Sequence, residues 1–345
     1  MKAAMLYGAG DIRIEEVQTP KPGPGQVLVK IEACGICGGD YRGFKHAKPK
    51  KEGSLFGHEA AGTIVELVGS VDGPGADGIR VGDRVALSPG ASCGNCRPCK
   101  RGMRHYCQDR PLRGVYTGGG FAEYKLVLPS QCYKIPDSLA FSDASMAEPV
   151  ACCLYASGRA DISPGDRVAI LGAGANALAF VQIALIRGAE YVLVADTIES
   201  RLAVAKSLGA SKTVNTEFLE IPDDESEGYD LVIVTRGKAE FTQAAVQYCA
   251  PGGRILCYGV SPAGVAASIE PHKIWRNEIT LVGSRSFSDT YGEAVNRLSS
   301  GQIKVDSIVT SKVPLDEFAS ALAESPEGHI KAVVLPGSIR GRGNE

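Results

Sequence analysis

The rhythm of apolar positions changes near residue 145. Before that point, short apolar and β-branched runs at 27–33, 62–68 and 84–87 are separated by turn signals such as Pro22-Gly23-Pro24-Gly25 and Gly73-Pro74-Gly75. Short strands punctuated by Gly and Pro predict a small, irregular β-rich domain. Beyond it, the apolar runs lengthen and alternate between strand and helix periods. The pattern predicts a helix at 145–158, a turn at 163–166, a strand at 168–171 and a helix at 175–187. A strand at 191–195, a helix at 199–208, a strand at 231–235, a helix at 239–249 and strands at 255–258 and 279–282 follow. Such alternation argues for βαβ units and a parallel sheet covered on both faces. From Tyr291 the tail predicts two helices and a strand at 330–335 that rejoin the first domain. The expected division is 1–150, 151–290 and 291–345. Gly-Asp-Arg-Val occurs at 82–85 and again at 165–168, and both copies are read as turn-to-strand entries.

Composition narrows the class without naming a chemistry. The 345 residues are 44% hydrophobic and 22% charged, with a formal net charge of -2, as in an ordinary globular protein. Nothing in that balance favours nucleic acid or an anionic membrane. No run of about 18 uninterrupted apolar residues suggests a membrane span. The N-terminus lacks the apolar core of a signal peptide, so the expected location is cytoplasmic. In a reducing compartment the 11 cysteines are not expected to pair as disulfides. Cys132, Cys152, Cys153, Cys249 and Cys257 lie in apolar surroundings and read as buried inert thiols.

The run from the strand at 168–171 into Gly172-Ala173-Gly174-Ala175-Asn176-Ala177, opening a helix, fits G-x-G-x-x-G/A. Gly172 allows a tight turn, Gly174 a close backbone approach to a pyrophosphate, and Ala177 close helix–strand packing. The pyrophosphate would rest on the free N–H groups of Ala175 and Asn176 at the helix start. Asp196 ends the next strand, where a carboxylate accepts ribose hydroxyls and repels a 2′-phosphate, so NAD is expected over NADP. The plainer role for Asp196 is a helix N-cap. Arg201 is read either as lining the adenosine side or as a surface helix residue.

Cys93-Gly-Asn-Cys96-Arg-Pro-Cys99, followed by Cys107, is the most specific pattern in the chain. Four thiolates so spaced close a tetrahedral shell around Zn²⁺, with no open position, and hold a lobe (about 90–110) together. An iron–sulfur cluster takes the same ligands, but nothing else in the chain points to electron transfer. His105, inside the run, is read as a bystander.

A second metal site is less explicit. Only five histidines are present. His58 stands in Gly57-His58-Glu59, Cys37 in Cys34-Gly-Ile-Cys37-Gly-Gly-Asp40, and Glu148 in Ala147-Glu148-Pro149. Each is a metal-ligand type beside Gly or Pro. A thiolate, an imidazole and a carboxylate leave a fourth position for water or substrate. By spacing alone, a shared ion and three separate structural roles both stay open.

Taken together, these segments resemble the zinc-dependent medium-chain dehydrogenases of the alcohol dehydrogenase superfamily, nearest in pattern to their polyol (sorbitol-type) branch. The matching pieces are ACGICGGD at 33–40, GHE at 57–59, VGDRV at 81–85, the four-cysteine lobe, GGFAEY at 119–124, EP at 148–149 and GAGANA at 172–177. They occur in the family's order over nearly the whole chain. The resemblance implies a two-domain α/β fold: a GroES-like β-rich catalytic domain and a Rossmann domain with a doubly wound parallel sheet. It implies Cys37, His58 and Glu148 as ligands of a catalytic zinc, with Asp40 orienting His58. Glu59 either approaches the metal or supports the site, and Cys34 is packing. It further implies two Zn²⁺ per chain, NAD as cofactor, a homo-tetramer or homo-dimer, and oxidation of a secondary alcohol (a polyol, sugar or similar) to a ketone.

One departure stands out. Many relatives carry Ser or Thr where this chain has Gly39, and that hydroxyl starts their proton relay. Here the proton must leave by another route, with water, Glu148, Tyr41 and His46 all open. The basic run Lys45, His46, Lys48, Lys50 and Lys51 is read as a solvated loop or, alternatively, as a rim favouring an acidic substrate. Arg110, Arg113 and Tyr116 are further candidates to reach substrate. The competing functions are an NADP-dependent zinc aldehyde reductase and a non-catalytic dinucleotide-binding protein.

Overall fold

The computed structural model describes residues 1–69, 78–109, 119–216, 227–324 and 328–338. Arg110, Arg113 and Tyr116 lie outside them. The chain divides into two compact units, Met1–Pro149 with Tyr291–Glu345, and Val150–Thr290. The division falls inside the helix Ala147–Arg159.

In the first unit the described strands form two sheets. The larger runs in the order Val309–Pro314, Lys331–Leu335, Gln26–Gly35, Glu59–Val68, Arg84–Leu87, Cys132–Lys134, with Tyr124–Val127 also paired to Gln26–Gly35. The smaller joins Asp11–Glu16, Lys2–Gly8 and Ser54–Leu55. The long antiparallel pair Gln26–Gly35 and Glu59–Val68 matters most for function. Its register sets Gly35 opposite Glu59 and Cys34 opposite Ala60. That brings the end of one strand, which leads into Cys37, beside the start of the other, which follows His58. Alternating side chains from these strands, including Val29, Ile31, Cys34, Ala60 and Ile64, enter a closed core with Phe121 and Phe318.

The second unit is a six-stranded parallel sheet in the order Lys212–Asn215, Tyr191–Asp196, Arg167–Leu171, Tyr229–Val234, Cys249–Cys257, Thr280–Gly283. Its central strands are buried on both faces, which is why they read as unbroken apolar runs rather than as alternation. The chain builds outward from Arg167–Leu171 in one direction, then returns to start the other half at Tyr229–Val234. The strand order thus reverses between these two neighbours, the place where open α/β sheets form a crevice beyond their carboxyl ends.

The two Gly-Asp-Arg-Val copies do open strands, at Arg84–Leu87 and Arg167–Leu171. The strands at Lys2–Gly8, Lys212–Asn215 and Val309–Pro314 and the helix Pro271–Arg276 had no counterpart in the sequence pattern. Among the described residues, no helix is long and apolar enough to cross a membrane.

Candidate functional site

Cys37 ends the turn after the strand Gln26–Gly35 and caps the helix Gly38–His46. Its Sγ accepts from the Gly39 N–H at 3.4 Å, while its own N–H donates to Asp40 Oδ2 at 2.8 Å. This reciprocal cap fixes the thiol and the Asp40 carboxylate in one rigid turn. Asp40 is buried, and its Oδ1 lies 3.9 Å from His58 Nδ1, an ion-pair contact rather than a hydrogen bond. The contact sets the Asp40 carboxylate beside the His58 ring.

Burial pushes the Asp40 carboxyl up to about 6, against the pull of His58. For His58, burial disfavours the imidazolium, but a hydrogen bond with Cys37 and the charges of Glu148, Asp40 and Glu59 outweigh it and raise the group to about 10. A metal-free site therefore keeps His58 protonated at neutral pH. Metal ligation requires the neutral ring, so uptake of an ion expels that proton. Zinc affinity of the stripped protein is expected to rise with pH below about 10, by up to roughly tenfold per pH unit for this proton alone. Competition with a chelator of known affinity at several pH values checks the slope, and a flat profile would contradict it.

One ligand atom each from Cys37, His58 and Glu59 falls within 4.8 Å of the others. A thiolate, an imidazole and a carboxylate gathered this closely fit a zinc shell with one position to spare. Glu148 is outside this group. It is buried at the start of the helix Ala147–Arg159, and its charge acts on His58. Two carboxylates therefore attend the imidazole, where the sequence reading made Glu148 the ligand and left the role of Glu59 open.

Glu59 has a partner that the sequence reading missed. Lys331 Nζ pairs with Glu59 Oε2, and both side chains are buried. Burial opposes the ammonium, but Glu59 holds Lys331 above its ordinary range. Gly35 makes the pair possible, because a Cβ there would overlap the Glu59 carboxylate and crowd the Lys331 stem at 3.1 Å. The available signal was a lysine opening the otherwise apolar strand Lys331–Leu335.

Substituting Asp40 by Asn retains the acceptor for the Cys37 N–H but removes the charge facing His58. Zinc affinity or kcat/KM is expected to fall about 10–100-fold, the usual cost of losing a carboxylate behind a ligating histidine. Metal titration and steady-state kinetics read the two quantities separately.

Cys34 is wholly buried, with its Sγ against the positions a side chain at Gly57 or Gly120 would need, and it serves packing. Gly39 is different: a Cβ there would meet Cys37 Sγ at 3.8 Å and Arg42 Nη2 at 3.9 Å, ordinary contacts. A hydroxyl-bearing residue would fit, so the missing relay group is a matter of sequence and not of space. His46 ends the nine-residue helix that Cys37 opens, about 13 Å along its axis. The basic run continues from there, with Lys50 Nζ donating to Ser54 Oγ at 2.9 Å. That position, at the end of the helix opposite Cys37, favours the solvated-loop reading.

In the lobe, Cys93, Cys96, Cys99 and Cys107 offer four sulfurs within 4.8 Å of one another. The Sγ–Sγ separations are 3.4 Å for Cys96–Cys99, 3.9 Å for Cys96–Cys107 and 3.6 Å for Cys107–Cys93. A tetrahedron of sulfurs about 2.3 Å from zinc has edges of about 3.8 Å, so the four already stand near the required spacing. Backbone N–H groups of Cys93 and Cys96 donate to Cys107 and Cys93 Sγ at 3.3 and 3.4 Å. The backbone N–H of Gln108 helps pull Cys96 down to about 6, and that of Cys93 lowers Cys107, while burial lifts Cys99 to about 12. His105 stands outside the cluster, its ring 4.3 Å from that of Tyr106.

In the second unit the strand Arg167–Leu171 turns through Gly172, φ +111°, into the helix Ala175–Ile186, capped by Gly174 with no side-chain bond. Gly174, Ala175 and Asn176 are half-exposed at that helix start, and Ala177 is buried against the sheet. Asp196 sits beside them but is nearly closed off, at 3% exposure. Its Oδ2 accepts from Ala173 N–H at 2.8 Å and its Oδ1 from Ile198 N–H at 3.0 Å. The residue capping the next helix is Ile198 and not Asp196. The carboxylate instead ties the glycine turn to the following loop and keeps about two acceptor sites for a ribose. Arg201 lies half-buried in the first turn of the helix Glu199–Ser207.

Comparison with known proteins agrees with these two halves. Residues 23–137 match the alcohol dehydrogenase GroES-like domain, and residues 177–300 match the zinc-binding dehydrogenase domain. An L-threonine 3-dehydrogenase of Pyrococcus abyssi is 34% identical, covering 97% of each chain. A sorbitol dehydrogenase of Bombyx mori is 30% identical, covering 96% of this chain and 97% of its own. A solved structure from Sinorhizobium meliloti 1021, described as a zinc-binding dehydrogenase bound to NADP, superposes with a TM-score of 0.88 at 32% identity, over 97% of this chain and 99% of that one. The first unit is accordingly GroES-like and the second Rossmann-like, and the chain belongs to the zinc-binding dehydrogenases of the alcohol and polyol type.

Proposed function

We propose that this zinc-binding dehydrogenase oxidises a secondary alcohol, of the polyol or sugar class, to a ketone with NAD⁺ as hydride acceptor. The observation that carries the reading is the convergence of Cys37, His58 and Glu59 within ligand distance, beside Glu148 and Asp40. Cys37, His58 and Glu148 are the ligands in this proposal. Glu59, paired with the buried Lys331, supports the shell. A zinc ion held there supplies a Lewis acid that makes an alcohol hydroxyl easier to deprotonate. The protein's own part is to fix those donors and to leave a fourth position open. The lobe cysteines hold a second zinc, giving two per chain.

Asp196 supports NAD over NADP, since its buried negative charge lies where a 2′-phosphate would approach. The same cofactor question is live among relatives, one of which is described with NADP. Zinc analysis together with NADH and NADPH absorbance assays over mixed polyols, sugar alcohols and sugar phosphates tests the whole reading. Two zincs per chain and turnover of secondary alcohols with NAD⁺ are expected. Turnover confined to primary alcohols, or a higher kcat/KM with NADP⁺, would overturn the substrate or the cofactor assignment. Two zincs with no turnover on any of these would favour a non-catalytic nucleotide-binding protein.

A further inference from the structure

The crevice of the parallel sheet contains a cation that the glycine motif does not explain. The strand Tyr229–Val234 lies directly beside Arg167–Leu171, with Val234 in register with Leu171. Both strands end at the reversal of strand order. Thr235 then donates its hydroxyl to the Leu171 carbonyl at 2.7 Å, clamping the two strand ends together. The next residue is Arg236. Its stem runs over the backbone of Gly172, where a Cβ would come within 3.0 Å of Arg236 Cγ and 3.6 Å of Cδ. Its guanidinium carbon stands 5.0 Å from the centroid of the Phe241 ring.

Gly172 therefore has two reasons to lack a side chain: its φ of +111° and the arginine stem laid across it. Arg236 is half-buried, and among the described residues no carboxylate pairs with it. A half-buried cation gains from an anion. Stacking on Phe241 restricts the guanidinium and reduces the ordering cost of binding one. The neighbouring helix start presents the N–H groups of Ala175 and Asn176 with no side-chain cap, and these favour the same sign of ligand charge.

We infer that Arg236 is a cofactor-binding residue whose guanidinium pairs with the pyrophosphate of the dinucleotide, opposite the helix N-terminus. The glycine turn supplies backbone donors on one side of the phosphates, and Arg236 supplies a fixed charge from the adjoining strand. The assignment rests on the reading of 172–177 as a dinucleotide turn.

The test is calorimetric titration of the full chain with ADP-ribose, with 2′-phospho-ADP-ribose and with adenosine, for the wild type and for Arg236→Gln and Arg236→Lys. Glutamine keeps part of the stem over Gly172 and the polar end, but no charge. ADP-ribose binding is expected to weaken about 10–100-fold in Arg236→Gln, and its salt sensitivity to diminish. Adenosine affinity is expected to stay within about twofold, and Arg236→Lys to lose less than Arg236→Gln. Equal losses for adenosine and ADP-ribose would place Arg236 on the base and overturn the inference. So would unchanged ADP-ribose affinity, or an effect confined to 2′-phospho-ADP-ribose. If the wild type binds ADP-ribose and the variant binds it equally well, only the Arg236 assignment falls. If the wild type binds no dinucleotide fragment, the nucleotide reading falls with it.

Discussion

Replacing Cys37 by Ser is expected to remove one zinc per chain and to lower kcat/KM about 10³-fold or more. The magnitude follows from the Lewis-acid contribution of a bound metal, several kcal/mol in the transition state, at about 1.4 kcal/mol for each factor of ten in rate. The substitution is nearly isosteric. Its hydroxyl can still accept the Gly39 N–H, and the Cys37 backbone N–H still reaches Asp40 Oδ2. The helix cap therefore survives while the soft ligand is lost. Nucleotide binding, carried by residues of the other unit, is expected to stay intact. This split, with metal and turnover lost together and ADP-ribose affinity retained, separates a metal-centre defect from unfolding. Full zinc content with wild-type kcat/KM would show that Cys37 is no ligand.

The second large effect concerns the lobe. Substituting Cys99 by Ser is expected to remove the other zinc and to open the segment around 90–107 to protease, while the Cys37 centre keeps its metal. Cys99 is one of the two buried sulfurs of the four, so its loss disturbs the inside of the cluster rather than its rim. A shell with no open position does no chemistry, and its contribution is to tie the ends of a short irregular segment. That segment has little else to hold it: the helix Arg97–Lys100 has four residues and the turn Arg104–Tyr106 three. Limited proteolysis with mapping of the first cut, alongside zinc analysis, checks the expectation. A first cut elsewhere, with both zincs retained, would contradict it.

The parts of this molecule that the sequence made legible are those whose chemistry is local. The four lobe cysteines lie close along the chain, so spacing alone pointed to their convergence. The strand–turn–helix at 167–186 was legible because a parallel strand buried on both faces is an unbroken apolar run, and the glycines mark its end. The edges of the sheets were less visible. Lys212–Asn215 and Val309–Pro314 are partly exposed, so their polar residues mask the strand period.

Non-local partners were the hardest to see. Lys331 meets Glu59 only because Lys331–Leu335 is laid beside Gln26–Gly35, which in turn sets Gly35 against Glu59. No spacing rule connects positions so far apart. The same holds for Asp196, whose role as a tie between Ala173 and Ile198 depends on two strands lying side by side. It also holds for the second carboxylate near the imidazole: the branch resemblance singled out Glu148, and the strand register brings Glu59 to the thiol and the imidazole as well.

The most direct measurement is an anomalous difference map collected at the zinc edge from crystals of the zinc-loaded enzyme. Two peaks per chain are expected. One lies among Cys93, Cys96, Cys99 and Cys107. The other lies about 2.3 Å from Cys37 Sγ and about 2.0 Å from a ring nitrogen of His58, with Glu148 completing the set. A second peak bonded by Glu59 instead would reassign the carboxylate alone. No peak at Cys37 and His58 in a zinc-loaded, active enzyme would contradict the account at its centre.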